Sequence, residues 1–536
     1  MNRILFVHAP KFSNYYPMLG EFMSVTQMPS GLLGLAGIAK DQGRETEVLH
    51  LGLEKALNKK FSLGAYLEET LPGLIFLSLH FHPQSNDAVR AIGLIRAKAP
   101  GAFLVLGGYT ATFFASEIMD RYPQVDAVCL GESENAVRAI SRLFPKRGED
   151  LAAIPGLAWR HSSGQVRFNC GSATDIGNLK GFCRTRLELM RHGAQYLKLA
   201  QFLHYYSWGW SFRRNLKNFG SPIGFALPVA RGCVHDCLYC GGGSRAQSRI
   251  NQRRGVTFLA LGHVLAELQD LKKREGELFL TEYIASGDGD DYYLELFNSL
   301  KKRKNSLHAN IDCRGIPSGR FLETFAQVFP SFPSHLNLSP EAAREPFRKK
   351  VKVGVALGDT GLYSALAHME RLKIKSEVYF SIGLPGETPE DVVALEETVR
   401  EIRKRFSSIR AVRIHGIELD PGSPLFMEPE KHNMVDPLRT FEEYRAYHGS
   451  WSSMLSDLGY GVIDHEGRRI GREEHTRAVN RLICRRFCRA MLPRCASMPA
   501  SLRKGAMLGT SGFCRTLETR FFIKRSLGRV PELFPY

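Results

Sequence analysis

The chain has no uninterrupted apolar run of about 18 residues, so it offers no helix able to span a bilayer. It also lacks a disulfide framework: its 11 cysteines are odd in number and scattered over 536 residues. That pattern suits a reducing compartment. No secretory cleavage pattern is present, because Met1-Asn2-Arg3-Ile4-Leu5-Phe6-Val7 runs directly into a strand-like segment; a cytoplasmic location is expected. Acidic residues are short, 54 against 72 Lys and Arg, for a net charge of +18. Most of that excess sits at one end, where Glu466 to Tyr536 hold 16 Lys and Arg against 5 Asp and Glu. Few aromatics are interleaved there for base stacking, so nucleic acid is not an expected partner.

What is present is ordinary in bulk, with 44% hydrophobic and 24% charged residues, and long enough for about three or four domains. The first ~150 residues alternate strand-like and helix-like runs, as a parallel α/β domain does. Strands are expected at Ile4–His8, Thr46–Leu51, Leu74–Leu79, Phe103–Leu106 and Ala127–Leu130, with a helix opening at Pro29-Ser30. Ligands of such sheets bind at the carboxyl ends of the strands. The loops there contain Ser78-Leu79-His80-Phe81-His82, Gly107-Gly108-Tyr109-Thr110-Ala111-Thr112 and Gly131-Glu132-Ser133-Glu134. Residues 150–222 read as a connector with an aromatic patch at Tyr205 to Trp210. From 223 to 430 alternation resumes, with strands expected at Gly224–Val229, Glu277–Tyr283, His308–Cys313, His335–Leu338, Ser376–Ile382 and Ala411–Ile417. Six βα units suffice for a partial (β/α) barrel, with chemistry at the strand C-termini.

The first barrel strand leads into Ala-Arg-Gly-Cys-Val-His-Asp-Cys-Leu-Tyr-Cys-Gly-Gly-Gly-Ser, which sets Cys233, Cys237 and Cys240 in C-x3-C-x2-C spacing. Thiolates this crowded are the usual ligands of iron–sulfur clusters, and three ligands for four irons leave one iron open. The rival is a structural zinc knot with His235 as fourth ligand, but zinc sites usually pair two close ligands with two distant ones.

This segment, with Tyr239 before the third cysteine, resembles the radical S-adenosylmethionine (SAM) superfamily. The Met-Pro-Ser-Gly-Leu-Leu-Gly-Leu-Ala, Gly-Gly-Tyr-x-Ala-Thr and Gly-Glu-Ser-Glu segments resemble the cobalamin-binding domain of one large subclass of it. The resemblance implies a Rossmann-like cobalamin-binding domain over 1–149, a connector over 150–222, a partial (β/α)6 radical SAM barrel over 223–430 and a basic, mainly helical region over 431–536. It implies a [4Fe-4S] cluster on the three cysteines, with SAM on the open iron and cobalamin at the first sheet. SAM contacts are expected from Tyr239, Gly241, Gly242, Arg314, Ser339, Glu341, Gly383 and Gly386. The Gly-Gly-Glu motif common after the second barrel strand reads Thr281-Glu282-Tyr283 here, which leaves that contact open. Cobalamin contacts are expected from Ser30, Ser78, His80, Gly107, Gly108, Tyr109, Thr110, Gly131 and Glu132. The first loop lacks the Asp-x-His-x-x-Gly motif of cobalamin mutases, so no histidine is assigned to cobalt. His80 and His82 read as hydrogen-bonding groups.

The implied reaction is methylation of an unactivated carbon of a lipid or natural product, through a 5′-deoxyadenosyl radical and methylcobalamin, with an electron donor such as flavodoxin or ferredoxin. Ring closure or rearrangement is the alternative within the class. An RNA-modifying methylthiotransferase needs three further N-terminal cysteines in a setting that Cys129, Cys170 and Cys183 do not provide. A cobalamin sensor would not need the intact cysteine triplet.

Two features near the end stand apart. Cys484, Cys488, Cys495 and Cys514 match no cluster spacing and read as small buried hydrophobes. Arg477, Arg481, Arg485 and Arg489 line one side of a helix, opposite Val479, Ile483, Phe487 and Met491. That face suits either packing on the barrel or peripheral contact with an anionic membrane at its inner face.

Overall fold

The computed structural model describes residues 3–483 except 11–28, 145–148, 172–173, 177–178, 197–223, 275, 285–288, 304–305, 356 and 451–457. The aromatic patch at Tyr205 to Trp210 and the four C-terminal cysteines lie outside the described residues.

Apolar runs buried on both faces make parallel strands. In the N-terminal sheet these are β1 (Arg3–His8), β2 (Glu45–His50), β3 (Leu74–Ser78), β4 (Phe103–Gly107) and β5 (Ala127–Cys129). They lie in the order β2-β1-β3-β4-β5 and are followed by β6 (Leu157–Arg160) and β7 (Val166–Phe168). The order reverses between β1 and β3, so the crevice expected of such a sheet opens beyond His8 and Ser78. β6 runs antiparallel to β5, and β7 antiparallel to β6. Residues 150–222 thus begin by extending this sheet, where the sequence reads only a connector. Strands of four and three residues are too short to display a period.

The second sheet starts at β8 (Gly224–Ala226). After the antiparallel hairpin of β9 (Ala230–Gly232) and β10 (Val256–Phe258), it continues as β11 (Leu278–Ile284), β12 (His308–Arg314), β13 (His335–Glu341), β14 (Ser376–Ser381) and β15 (Ile409–His415). Every neighbouring pair of the six is parallel and in chain order. Helices such as Leu261–Lys273, Gly289–Lys302 and Pro389–Arg405 intervene, giving the partial barrel. Alternation divides each strand's faces: in β12 Ala309, Ile311 and Cys313 join the core under the helices, leaving Asn310, Asp312 and Arg314 for the lumen. Helix Pro389–Arg405 starts with a capping box, Thr388 with Asp391, and proline in its first turn.

The described part of the C-terminal region mixes helix with a small antiparallel sheet of β16 (Met434–Val435), β17 (Gly461–Ile463) and β18 (Arg469–Ile470). Residues 472–483 are helical. Val479 on this helix is 3% exposed and joins the apolar cluster that holds Ile382 and Leu384. The described stretch of the arginine-flanked helix therefore covers a barrel turn, because that turn would otherwise leave apolar surface in water. Arg485, Arg489, Phe487 and Met491 lie outside the described residues. No described helix is long and apolar enough to cross a membrane.

Candidate active site at the barrel mouth

The cysteine loop is fixed by its own backbone. Asp236 and Leu238 donate to the carbonyls of Val353 and Val351 at 2.9 Å each, and Ser244 donates to His235 O at 2.8 Å. Cys233 and Cys237 are buried, Cys240 is partly exposed, and all three are free thiols. The N–H groups of His235 and Gly242 lie 3.4 and 3.3 Å from the sulfurs of Cys233 and Cys240. Burial pushes the Cys237 thiol up and that of Cys240 to about 12, so these groups become thiolates when a metal displaces their protons. Among the described residues no three His, Cys, Asp or Glu side chains converge as ligands of a single ion would. His235 is no fourth ligand: its ring nitrogens sit 3.0 and 2.5 Å from the carbonyl oxygens of Gly354 and Arg314. A three-cysteine loop with backbone N–H groups turned to sulfur fits a cluster and not a zinc knot.

Beside the loop, strand ends bring the expected SAM contacts together. Arg314, last in β12, is exposed yet ringed by protein, with Glu282, Cys233 and Cys240 as its main electrostatic neighbours. Its guanidinium has no hydrogen-bond partner among the described residues, an open planar fork of the kind that takes a carboxylate. Glu282 accepts from Ala230 N at 3.1 Å, and burial raises its pKa against the pull of Arg314. Its carboxylate thus lies within electrostatic reach of Arg314. Glu341 sits at φ +65° and accepts from Ser381 Oγ. Lys352 ties this wall together, donating to Ser339 O at 2.7 Å and Tyr239 OH at 3.2 Å, with Glu341 4.0 Å away. Lys352 and Ser381 carry no sequence signal; they enter only through the fold.

Gly383 and Gly386 have φ of +84° and +83° and shape a turn in which Gly383 faces Val479 and His475 of the C-terminal region and Gly386 faces Lys350 of the barrel. Gly383 N–H donates to Glu387 Oε2 at 2.6 Å, and its carbonyl accepts from Tyr460 OH at 3.1 Å. Gly383 is buried within this turn and presents no open surface, whereas Gly386 is partly exposed.

At the first sheet, Ser30, Ser78, Gly107 and Gly108 are partly exposed and His80 is exposed at the strand ends. Enough protein surrounds His80 for burial to lower its pKa, so it lines a recess and does not project into bulk water. Gly108 lies so close to the next loop that a Cβ would come within 2.7 Å of the His80 backbone. His8 ends β1 in the same recess, its ring centroid 4.7 Å from that of His50, and neither of its nitrogens has a partner among the described residues. The sequence did not single it out. A recess of glycine backbone and neutral imidazole at the switch point fits a bulky planar cofactor.

Four expected cobalamin contacts are placed elsewhere. Glu132 is bound by Arg253 through two 2.6 Å contacts and by the Thr174 N–H at 2.8 Å. Next to it, a Cβ on Gly131 would meet Ile250 O at 3.1 Å. This turn is an interdomain joint, because the buried Arg253 and the partly buried Arg231 of the barrel need carboxylate partners there. Thr110 is buried and donates to His80 O at 3.0 Å. Tyr109 crosses the interface, its hydroxyl donating to Gly241 O and reaching Pro421 O at 3.2 Å.

That crossing is part of a junction. Asp420 accepts from Gly241 N at 3.2 Å, so the peptide groups flanking the residue after Cys240 are held from both sides. His82 of the N-terminal domain lies 3.4 Å from Asp420, 3.7 Å from Glu418 and 2.9 Å from His448. Its ring is occupied by these groups and is not a cobalt ligand. The segment from Glu418 to Pro421 joins the two domains.

The layout is that of an α/β cofactor domain placed against the mouth of a partial barrel with a three-cysteine loop. Residues 25–141 match the B12 binding domain family and residues 227–399 the radical SAM superfamily. The chain thus combines a B12 binding domain with a radical SAM domain, the pairing that the sequence resemblance implied. Among curated proteins it is similar to the anaerobic magnesium-protoporphyrin IX monomethyl ester cyclase of Synechocystis sp. The two are 24% identical over 244 residues, which cover 45% of this chain and 42% of the cyclase. Its fold is similar to that of the radical S-adenosylmethionine methyltransferase TsrM from Kitasatospora setae with cobalamin and [4Fe-4S] cluster bound. There the TM-score is 0.59 at 17% identity, covering 83% of this chain and 81% of that one. It is likewise similar to the cobalamin-dependent S-adenosylmethionine radical enzyme OxsB with aqua-cobalamin, with a TM-score of 0.61 at 13% identity, covering 98% and 72%.

Proposed function

We propose that this protein methylates an unactivated carbon of a small-molecule or lipid-like substrate. The observation that carries the reading is the junction at Gly241, where the loop following Cys240 is gripped by Tyr109 of the cofactor domain. It ties the loop beside the corrinoid recess to the cluster loop, which supports a reading in which two cofactors act on one substrate. When bound, the cluster supplies the electron that cleaves SAM and cobalamin supplies a methyl carrier.

The chain's own residues do the positioning. Cys233, Cys237 and Cys240 would hold the cluster, Arg314 would pair with the SAM carboxylate, and Glu282 would take its amino group. Lys352 keeps Tyr239 and the Ser339 carbonyl in place beside them. The Gly107-Gly108 loop and His80 border the corrinoid. Electrons come from a small donor such as flavodoxin or ferredoxin.

Anaerobically reconstituted protein, reduced with dithionite in the presence of SAM, is expected to form 5′-deoxyadenosine and to retain bound cobalamin. If the variant with all three cysteines changed to alanine still formed 5′-deoxyadenosine, the assignment of the cluster would be wrong. Ring closure is the second reading, favoured by the match to a cyclase. Label from SAM carrying a deuterated methyl group appears in the product of methylation and is absent from that of ring closure.

A further inference from the structure

Three adjacent barrel strands, β12, β13 and β14, turn a polar face to the lumen, beside β11, which adds Leu280, Glu282 and Ile284. On β13 and β14 the residues directed outward, Leu336, Leu338, Val378 and Phe380, belong to the core under the helices. The alternate positions that remain for the lumen hold no aliphatic side chain on β12, β13 or β14. An acyl chain placed there would strip water from polar groups without replacing their hydrogen bonds, at a cost of about 1–3 kcal/mol for each group.

Most of these groups are already committed to one another. Glu377 is bound bidentately by Arg413 at 2.6 and 3.2 Å and accepts from Tyr379 OH at 3.1 Å. Asn337 donates to Asn310 Oδ1 at 2.9 Å and to Asp312 Oδ1 at 2.6 Å. Asp312 differs from the rest. Its other oxygen has no partner among the described residues, and no cation lies within ion-pair range of it. The side chain is exposed, yet the surrounding protein raises its pKa by burial. Arg314 attracts it through space without an ion pair, and in the SAM-bound reading that guanidinium is committed to the SAM carboxylate, which leaves the accessible oxygen of Asp312 for a cationic donor. Asp312 stands two residues before Arg314 on one strand face, about 7 Å deeper along the barrel.

We propose that the lumen binds a small polar substrate that presents an ammonium or amidine-type N–H to Asp312, about one strand repeat below the SAM position at Arg314. The inference rests on the radical SAM reading of the same site and narrows its substrate from lipid-like molecules to nitrogen-bearing polar ones.

The test uses the full chain, anaerobically reconstituted and SAM-loaded, with butylamine and butanoate as matched probes followed by saturation-transfer NMR. Butylamine is expected to bind about tenfold tighter than butanoate, a difference of about 1.4 kcal/mol. That preference opposes the net charge of +18, so it does not arise from non-specific attraction. It is expected to vanish in Asp312→Asn and persist in Asp312→Glu, which controls for loss of fold. Equal binding of the two probes to the unmodified protein, or an unchanged ratio in Asp312→Asn, overturns the proposal. Formation of 5′-deoxyadenosine without any amine preference removes this inference alone; failure to form it removes the reading beneath.

Discussion

At the residue scale, the three cysteines were legible because their chemistry depends on spacing within one loop, which a sequence displays directly. Arg314 was expected from its place just after the third barrel strand, and the structure sets it beside Cys233 and Cys240. Lys352 was not, because it serves the site by reaching back to Tyr239 and Ser339 from a position with no motif of its own. Glu132 shows the opposite failure. It sits in a turn that matches a cofactor domain, yet Arg253 comes from 121 residues further along the chain to claim its carboxylate. Ion-pair partners so distant in sequence leave no local pattern. For Arg314 the geometry makes a direct prediction. Arg314→Gln keeps the volume but removes the charged fork, and charge-assisted hydrogen bonds contribute about 1.5–3 kcal/mol. SAM affinity measured by anaerobic calorimetry is expected to fall about 10- to 150-fold, with the cluster's iron content unchanged.

At the element scale, the long parallel strands matched expectation to within about two residues at most ends, since buried apolar runs and glycine-marked loops bound them clearly. The short β6 and β7 did not, and neither did the role of the turn after β14. The sequence of that turn, Gly383-Leu384-Pro385-Gly386, suggests a surface beside SAM, but its shape answers to what packs behind it. Gly383 has φ +84°, and a Cβ there would lie 2.3 Å from Val479 Cγ2. Gly383→Ala is therefore strained in its backbone and collides with the covering helix. Its melting temperature is expected to fall by several degrees, about 1–3 kcal/mol of stability. The double variant with Val479→Ala should recover part of that loss, and scanning calorimetry distinguishes the two. No recovery would mean that backbone strain dominates and the helix yields.

At the scale of the whole molecule, two domains meet through buried carboxylate–arginine contacts and the Tyr109–Gly241–Asp420 grip. Burial opposes ionisation of Glu134, but Arg231 beside it outweighs that and holds the carboxyl below its usual range. The same joint holds Glu132 with Arg253. A folded-state pKa below the unfolded one means that this stabilisation is present above the ordinary carboxylate range and is lost as pH falls through the depressed value.

The grip on Gly241 also constrains the history of the protein. Iron and sulfide must enter a loop whose last peptide groups are already hydrogen-bonded on both sides once the domains have closed. Cluster insertion should therefore be easiest on a nascent or partly opened chain, and slow on a finished apoprotein. Tyr109→Phe removes one of the two holds on Gly241 while leaving every cysteine in place. Chemical reconstitution of its apoprotein, followed by absorbance near 410 nm, a wavelength typical of such clusters (~410 nm), is expected to run several-fold faster than that of the unmodified protein, to the same final iron content. Equal rates would show that the loop admits its cluster without any parting of the domains.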